Sequence, residues 1–189
     1  MRQRGLLIWL GSALVVGGAV VLAWYSWTLY QQAAAQELAK EWLRRPPAIS
    51  RITPAPPVRR GDVIGELDIP RLQLSVMVFE GDDAGILSQG AGHIPGTALS
   101  AGSGNIGIAA HRDTYFRPLR LIHANDVIAL KTPAGTSRFT VTETEIVQPS
   151  AIGVLSRAPG RDLTLVTCYP FFFVGSAPER FIVHARKIG

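Results

Sequence analysis

The sequence predicts a mainly β domain, an antiparallel barrel or sandwich, that follows one N-terminal transmembrane helix. Three observations support this fold class: an apolar stretch without charges lies near the N-terminus, a proline-rich segment comes after it, and short runs rich in Val, Ile, Thr and Phe fill the rest. After residue 61 no long amphipathic pattern remains that could supply helices to cover a parallel sheet, which favours antiparallel pairing.

The charge-free stretch predicts a membrane span. It runs from Gly5 to Gln36, and its core, residues 6–30, is long enough to cross a bilayer. Four aromatic residues cluster at its far end, as is typical of a membrane interface: Trp24, Tyr25, Trp27 and Tyr30. The alternative is a cleaved signal peptide ending at the alanines 33–35, although the apolar core of such a peptide has only about 7–15 residues. We expect residues 1–5 to form a basic cytoplasmic tail and the rest of the chain to lie outside.

Residues 31–61 are expected to form a helical extension and a linker. Residues 31–45 are rich in helix formers, a Pro-Pro pair stops the helix, and five prolines make residues 46–61 an extended spacer. The net charge of +5 comes from this end of the chain, because residues 1–60 carry eight Lys and Arg against two Asp and Glu. Basic residues beside a membrane attract anionic head groups. The remaining chain has no basic field, which argues against a nucleic-acid partner.

Residues 62–189 are predicted to form one domain of short strands. The strand-like segments share β-branched and aromatic residues in partial alternation, and Gly, Pro, Asn and Asp separate them. They are VIGELDI, LSVMVFE, NIGIAA, DVIALKT, TSRFTVTETEIVQ, DLTLVTC and RFIVHARK. Asp82 is the expected cap of a short helix that ends near Gly90, and a second helical turn is predicted in DTYFRPLRLI.

Cys168 is the only cysteine in the chain, which excludes an intramolecular disulfide and a cysteine-rich zinc site. It ends the strand LTLVTC, in which residues 164, 166 and 168 share one face and residues 163, 165 and 167 share the other. A rigid strand end beside a loop suits a nucleophile, provided that a cation or a base favours the thiolate. The alternative is a small buried hydrophobic side chain.

Four histidines could supply the base. His111 ends an apolar strand, as Cys168 does, and two strand ends can meet at one rim of a barrel. His184 lies inside the last strand, where a half-buried structural residue is expected. His123 is expected to be solvated in a loop. His93, flanked by glycines and a proline, is expected in a turn with its imidazole bonded to the backbone.

Arg180 opens the last strand and is the candidate cation. A guanidinium stays charged and can donate hydrogen bonds to a developing oxyanion, although an ordinary surface arginine would fit the same position. The string His-Arg-Asp at 111–113 resembles the catalytic loop of kinases, but no phosphate-binding glycine loop accompanies it. No cofactor is predicted, and nothing like an EF-hand loop occurs, although a role for calcium stays open.

Taken together, these segments resemble the sortase family, with the class D group the best match. The resemblance is carried by NIGIAAHRDTYFRPL, LTLVTCYPF and ERFIVHARK, in that order, after an anchor and a linker, and by GAGHIPGTALSAGSGN before the histidine strand. It covers residues 62–189 and the anchor. Two positions depart from the family pattern, since Ala110 stands where glycine is common and Ser100 where proline is common.

The resemblance implies a closed β-barrel of about eight strands with short helices. It also implies a cysteine transpeptidase on the outer face of the bacterial cytoplasmic membrane, with the membrane, secreted proteins that carry a C-terminal sorting signal, and an amine acceptor as partners. The signal would be Leu-Pro-x-Thr-Gly or a variant, and the acceptor a cell-wall peptide or a pilin subunit. By motif, Cys168 would be the nucleophile, His111 the acid/base and Arg180 the stabiliser of the transition state, while Thr167 and Tyr169 beside the cysteine would contact substrate. The rival hypotheses are a peptidase that only hydrolyses such signals and a non-enzymatic, membrane-anchored β-barrel adaptor.

Overall fold

The protein is described here from a computed structural model, which covers residues 2–44, 57–156 and 162–188. The chain divides into two compact units, Met1–Ala35 and Gln36–Gly189. Most of the predicted proline-rich spacer, residues 46–56, lies outside the described residues.

Helix α1 (Arg2–Arg44) contains the predicted span. Its segment Gly11–Glu41 is long and apolar enough to cross a membrane by length and composition, a test that a signal sequence near an N-terminus would also pass. Large apolar side chains of the first unit, Val15, Leu22 and Trp24 among them, are exposed. A helix that is apolar on all sides belongs in a core or in lipid, and these side chains are not buried in protein.

The second unit is a closed barrel. Within the described residues it has eight strands: β1 (Val63–Ile69), β2 (Leu74–Glu80), β3 (Ala91–His93), β4 (Ile106–Ala109), β5 (Val127–Thr132), β6 (Gly135–Val147), β7 (Leu163–Tyr169) and β8 (Glu179–Ile188). Their order around the barrel is β1-β2-β3-β4-β7-β8-β6-β5. Closure pairs both sides of every strand and leaves no open sheet edge. The predicted closed barrel of about eight strands is confirmed.

Six of the eight neighbouring pairs in this barrel are antiparallel, and two, β2 with β3 and β4 with β7, are parallel. The predicted antiparallel character therefore holds for most of the sheet. The β4–β7 exception matters for the site, because parallel strands end at the same rim of a barrel.

The barrel interior is filled by the inward-facing residues of the strands, as the alternation in LTLVTC predicts. Leu163, Leu165 and Thr167 are buried on the inner face of β7. On the other face Thr164 is buried as well, while Val166 and Cys168 are half-buried. Phe116 and Leu119 join the same core cluster from the connection between β4 and β5.

Short helices and turns complete the fold. Helix α2 (Ala84–Leu87) follows Asp83, and short 3-10 helices occupy Pro70–Leu72, Arg117–Leu121 and Ile152–Leu155. The helical turn predicted in DTYFRPLRLI is thus present. The prediction that Asp82 caps α2 is wrong: the carboxylate of Asp83 accepts from the backbone N–H groups of Gly85 and Ile86, because Asp83 is the extended residue directly before the helix.

The end of α1 packs against the barrel within the second unit. The side chain of Gln36 accepts from the backbone N–H of Met77 at 2.8 Å and donates to the carbonyl of Gln89. Ala39 is buried in a small cluster with Met77, Phe79 and Ile86. Part of the predicted helical extension therefore belongs to the compact unit, while the boundary predicted at residue 62 stays a prediction.

Candidate active site

The parallel ladder between β4 and β7 brings His111 and Cys168 to one rim of the barrel. Its last pair joins Ala109 and Val166, and both His111 and Cys168 follow two residues later. The backbone N–H of Ala110 donates to the carbonyl of Val166 at 3.2 Å. The hydroxyl of Thr167 donates to the carbonyl of Ala110 at 2.7 Å. These bonds tie the two strand ends together directly beside the candidate nucleophile and base.

Antiparallel pairing of β7 and β8 places Arg180 beside the cysteine. Cys168 and Arg180 are direct partners in this ladder. One terminal nitrogen of the Arg180 guanidinium donates to the carbonyls of Glu179, at 3.0 Å, and Ala177, at 3.4 Å. These backbone bonds orient the guanidinium while the side chain stays half-exposed.

The three predicted residues share one cavity of about 350 Å³. Its walls are His111, Cys168 and Arg180, together with Arg112, Asp113 and residues 175–177 of the connection between β7 and β8. Three larger cavities, of about 730, 590 and 420 Å³, lie elsewhere in the described residues and are lined by neither a cysteine nor a histidine. The sequence prediction that these three side chains can meet at one rim agrees with this arrangement.

The other three histidines have structural surroundings. His93 is the last residue of β3, not a turn residue, and lies within hydrogen-bonding distance of Glu80 at 2.7 Å and of the carbonyl of Ala98 at 3.0 Å. His184 is fully buried rather than half-buried and contacts Thr164 and Glu145. His123 is exposed beside Arg71. His111 alone among the four lines the cavity of Cys168.

Thr167 and Tyr169 flank the cysteine in different ways. Thr167 is buried, with its hydroxyl bonded to Ala110 as described, so it ties the strands of the candidate nucleophile and base. The half-buried ring of Tyr169 packs on Phe171 and Phe181, with centroid distances of 6.0 and 6.3 Å. Substrate contacts of both residues stay predictions.

Sequence reasoning missed Arg112 and Asp113, which stand directly after His111. The available signal was the string His-Arg-Asp, which we assigned no role. Arg112 is buried despite its charge, and Asp113 is exposed. No group of three or more His, Cys, Asp and Glu side chains suited to a metal ion occurs in the part of the chain that the structure describes.

Known proteins share this sequence and fold. A family model described as the Sortase domain matches residues 67–188. Sortase D of Bacillus subtilis (strain 168) is 31% identical over 129 residues, which cover 68% of this chain and 65% of that protein. Sortase A of Streptococcus agalactiae serotype III is 31% identical over 133 residues, which cover 66% of this chain and 52% of that protein. The chain thus matches between half and two thirds of these relatives' length.

Solved structures agree with the sequence comparisons. The structure of a Clostridium perfringens Sortase D5 transpeptidase is similar with a TM-score of 0.71 and 25% sequence identity, over 85% of this chain and 99% of that one. The range matched by the family model contains His111, Cys168 and Arg180, and the two class D proteins support the predicted class. The chain therefore belongs to the sortase family.

Proposed function

We propose that this protein is a cysteine transpeptidase that cleaves a Leu-Pro-x-Thr-Gly-like C-terminal sorting signal and transfers the acyl group to an amine. The observation that carries this proposal is the single cavity lined by Cys168, His111 and Arg180. A nucleophile, an acid/base and a fixed cation are the groups that acyl transfer through a thioester needs. Family membership supports the same reaction type.

The first half-reaction forms the thioester. The thiolate of Cys168 attacks the carbonyl carbon of the signal's threonine, and the developing oxyanion accepts hydrogen bonds from Arg180. When the intermediate collapses, the bond between the threonine carbonyl carbon and the next residue's nitrogen breaks. His111, as imidazolium, gives its proton to that leaving amine.

The second half-reaction transfers the acyl group. An incoming amine attacks the thioester carbon, and the neutral imidazole of His111 takes a proton from it. The carbon–sulfur bond then breaks, so the thiolate of Cys168 and the imidazolium of His111 are restored. Water in place of the amine gives hydrolysis, which is the alternative activity.

We also propose where the enzyme works and on what. Residues 6–30 would form a single-pass anchor in the bacterial cytoplasmic membrane, with the barrel on the extracytoplasmic side. The support is the long apolar helix with its exposed side chains. Its partners would be secreted proteins that carry the sorting signal and an amine on a cell-wall peptide or a pilin subunit. We propose that it needs no cofactor, so turnover should persist in EDTA.

The test uses the full-length protein in detergent micelles with a fluorogenic Leu-Pro-x-Thr-Gly peptide, with and without triglycine. We expect cleavage, a triglycine adduct in mass spectra, and loss of both in Cys168→Ala and His111→Ala. His123→Ala is the matched control, because His123 is an exposed histidine outside the cavity, and it should retain activity. Cleavage without the triglycine adduct would support the alternative that the protein is a peptidase that only hydrolyses the signal. Absence of both cleavage and thiol alkylation in the wild type would favour the adaptor.

A further inference from the structure

Arg112 is a buried arginine beside the candidate base. Its relative exposure is 9%, and it lines the cavity that holds Cys168. Arginine is almost never buried unless it is paired, because removing its charge from water is costly. The burial of Arg112 therefore has to be explained by the groups that it contacts.

The contacts of Arg112 all go to the connection between β7 and β8. Nη2 donates to the carbonyl of Phe173 at 2.7 Å and to the carbonyl of Gly175 at 3.0 Å. The guanidinium carbon also lies 5.9 Å from the centroid of the Phe173 ring, a cation–π distance. One side chain thus holds two carbonyls and one ring of the same segment.

Besides Arg112, the contacts of this connection are the packing of Phe171 on Phe181, a bond of 3.4 Å from Arg180 to the carbonyl of Ala177, and Arg120 at 5.5 Å from the centroid of the Phe172 ring. Phe172 and Val174 are 77% and 94% exposed. The backbone bond from the N–H of Phe173 to the carbonyl of Pro170 is long, at 3.3 Å. A loop with exposed side chains and few bonds is mobile unless something external orders it. Because residues 175–177 form a wall of the catalytic cavity, the position of this loop decides the shape of that cavity.

One part of the guanidinium is left unsatisfied. Nη1 of Arg112 is buried and has no hydrogen-bond partner among the described residues. Buried donors without an acceptor are rare in native proteins and unfavourable. A peptide carbonyl that enters the cavity would supply the acceptor that Nη1 lacks among the described residues.

We propose that Arg112 is a substrate-positioning residue. It holds the β7–β8 connection as one wall of the cavity, and its Nη1 donates to a backbone carbonyl oxygen of the bound sorting-signal peptide. The second half of this proposal rests on the proposed transpeptidase function, whereas the first half concerns the loop and stands without it.

The loop is tested first, in the full-length protein without peptide. Hydrogen exchange of residues 171–178 is compared in wild type, Arg112→Lys and Arg117→Lys. Lysine keeps the charge, but its ammonium is a flexible, strongly hydrated point charge and lacks the pre-organised planar guanidinium whose Nη2 donates to both carbonyls. We expect faster exchange of this segment in Arg112→Lys, with β4 and β7 unchanged, and no change in the control, because Arg117 is exposed. Unchanged exchange in Arg112→Lys would overturn the proposal.

Phe173→Leu gives a second route if the arginine variants do not fold. It removes the ring from a half-exposed position and keeps the carbonyl that Arg112 binds. The same segment should exchange faster, by a smaller factor than in Arg112→Lys. No change in Phe173→Leu, with Arg112 variants unfolded, would also count against the loop assignment.

Peptide kinetics then test the substrate contact. We expect Arg112→Lys to raise KM about tenfold with a smaller change in kcat, as loss of a ground-state contact does, while iodoacetamide alkylation of Cys168 keeps its wild-type rate. Peptide should also raise the melting temperature of Cys168→Ala more than that of the Cys168→Ala/Arg112→Lys double variant. A fall in kcat at unchanged KM, or equal melting shifts, would contradict the contact. If the wild type cleaves no peptide, the proposed function fails, and the exchange experiment still decides the role in the loop.

Discussion

Cys168 and Arg180 lie directly opposite each other on neighbouring antiparallel strands. Residues paired in this way have Cα atoms only about 4.5–5.5 Å apart, so the backbone itself keeps the cation next to the thiol. Bonds to the carbonyls of Ala177 and Glu179 then orient the guanidinium. This arrangement places Arg180 where it can act either by directed hydrogen bonds or by charge alone, and a conservative substitution can separate these two roles.

Arg180→Lys tests whether the guanidinium acts through its geometry. If Arg180 stabilises an oxyanion by directed hydrogen bonds, Arg180→Lys should lower peptide turnover almost as much as Arg180→Ala does. Removal of one such donor typically lowers the rate by about 10²–10³. If charge alone matters, lysine should restore much of the turnover. Peptide turnover and the rate of iodoacetamide alkylation are measured for both variants.

Arg186→Ala is the matched control for that series, because Arg186 is an exposed arginine on the same strand. It should turn over peptide as the wild type does. Wild-type turnover in Arg180→Ala would remove Arg180 from the site.

Thr167→Val tests the tie between the two strand ends. Valine has a similar shape but cannot donate to Ala110, so a buried carbonyl loses its 2.7 Å bond. Leaving a buried acceptor unsatisfied costs about 1–3 kcal/mol. We expect a lower free energy of unfolding. We also expect a lower kcat, because Ala110, the residue before His111, loses its bond to β7 and no longer holds His111 in place. Thr144→Val on β6 is the control, since Thr144 is exposed. Equal stability of the two variants in urea titrations would contradict this role.

Much of the fold follows from the sequence pattern because local alternation reports which strands are half-buried. The bounds of β1 and β2 agree with VIGELDI and LSVMVFE residue for residue. Strand β3 could not be predicted, because its three residues, with glycine in the centre, form a strand only through pairing with β2 and β4. The capping role of Asp83 was equally hidden, since two adjacent aspartates fit the same pattern.

The site was predictable to a similar extent. Cys168 and Arg180 stand at strand ends that the pattern locates well. The position of His111 depends on the parallel pairing of β4 with β7, a non-local contact that periodicity cannot reveal. Arg112 was missed because burial of a charged side chain leaves no trace in the residues around it. Its partners are carbonyls of Phe173 and Gly175, which any residue type could supply.

The pairing of Asp83 with Arg60 predicts a stability change at acid pH. The hydrogen bond from the Arg60 guanidinium is the main cause that lowers the pKa of Asp83 to about 2, with help from the backbone N–H groups of Ile86 and Gly85. A carboxyl with a lowered pKa stabilises the fold fully above its unfolded value of 3.8. That contribution is lost as the pH falls from 3.8 towards 2.

Asp83→Asn should therefore have a lower melting temperature than wild type at pH 5. The difference between the two melting temperatures should become smaller as the pH falls to 2.5. Both side chains are largely exposed, so the effect should be small and should shrink further in salt. Asp82→Asn is the control and should leave the melting temperature unchanged at every pH. If the difference in melting temperature between wild type and Asp83→Asn stays constant with pH, the charge of Asp83 does not contribute to stability.

Truncation tests how far the compact unit extends along α1. In the second unit, Ala39 covers Met77, Phe79 and Ile86, which are 0%, 6% and 3% exposed. A fragment that begins at Gln36 keeps this cover, whereas one that begins at residue 61 removes it and also removes the partner of Asp83. Each large apolar side chain that is fully uncovered costs about 1.5–3 kcal/mol.

Both fragments lack residues 6–30 and should be soluble, but we expect the one that begins at Gln36 to have the higher melting temperature. The shorter fragment should bind more of a hydrophobic dye at its newly exposed β2 face. Gln36→Ala in the longer fragment is an internal check, because it leaves the backbone N–H of Met77 without its acceptor. It should therefore lower the melting temperature part of the way towards that of the shorter fragment. Equal melting temperatures for the two fragments would place residues 36–44 outside the folding unit and restore the predicted boundary at residue 62.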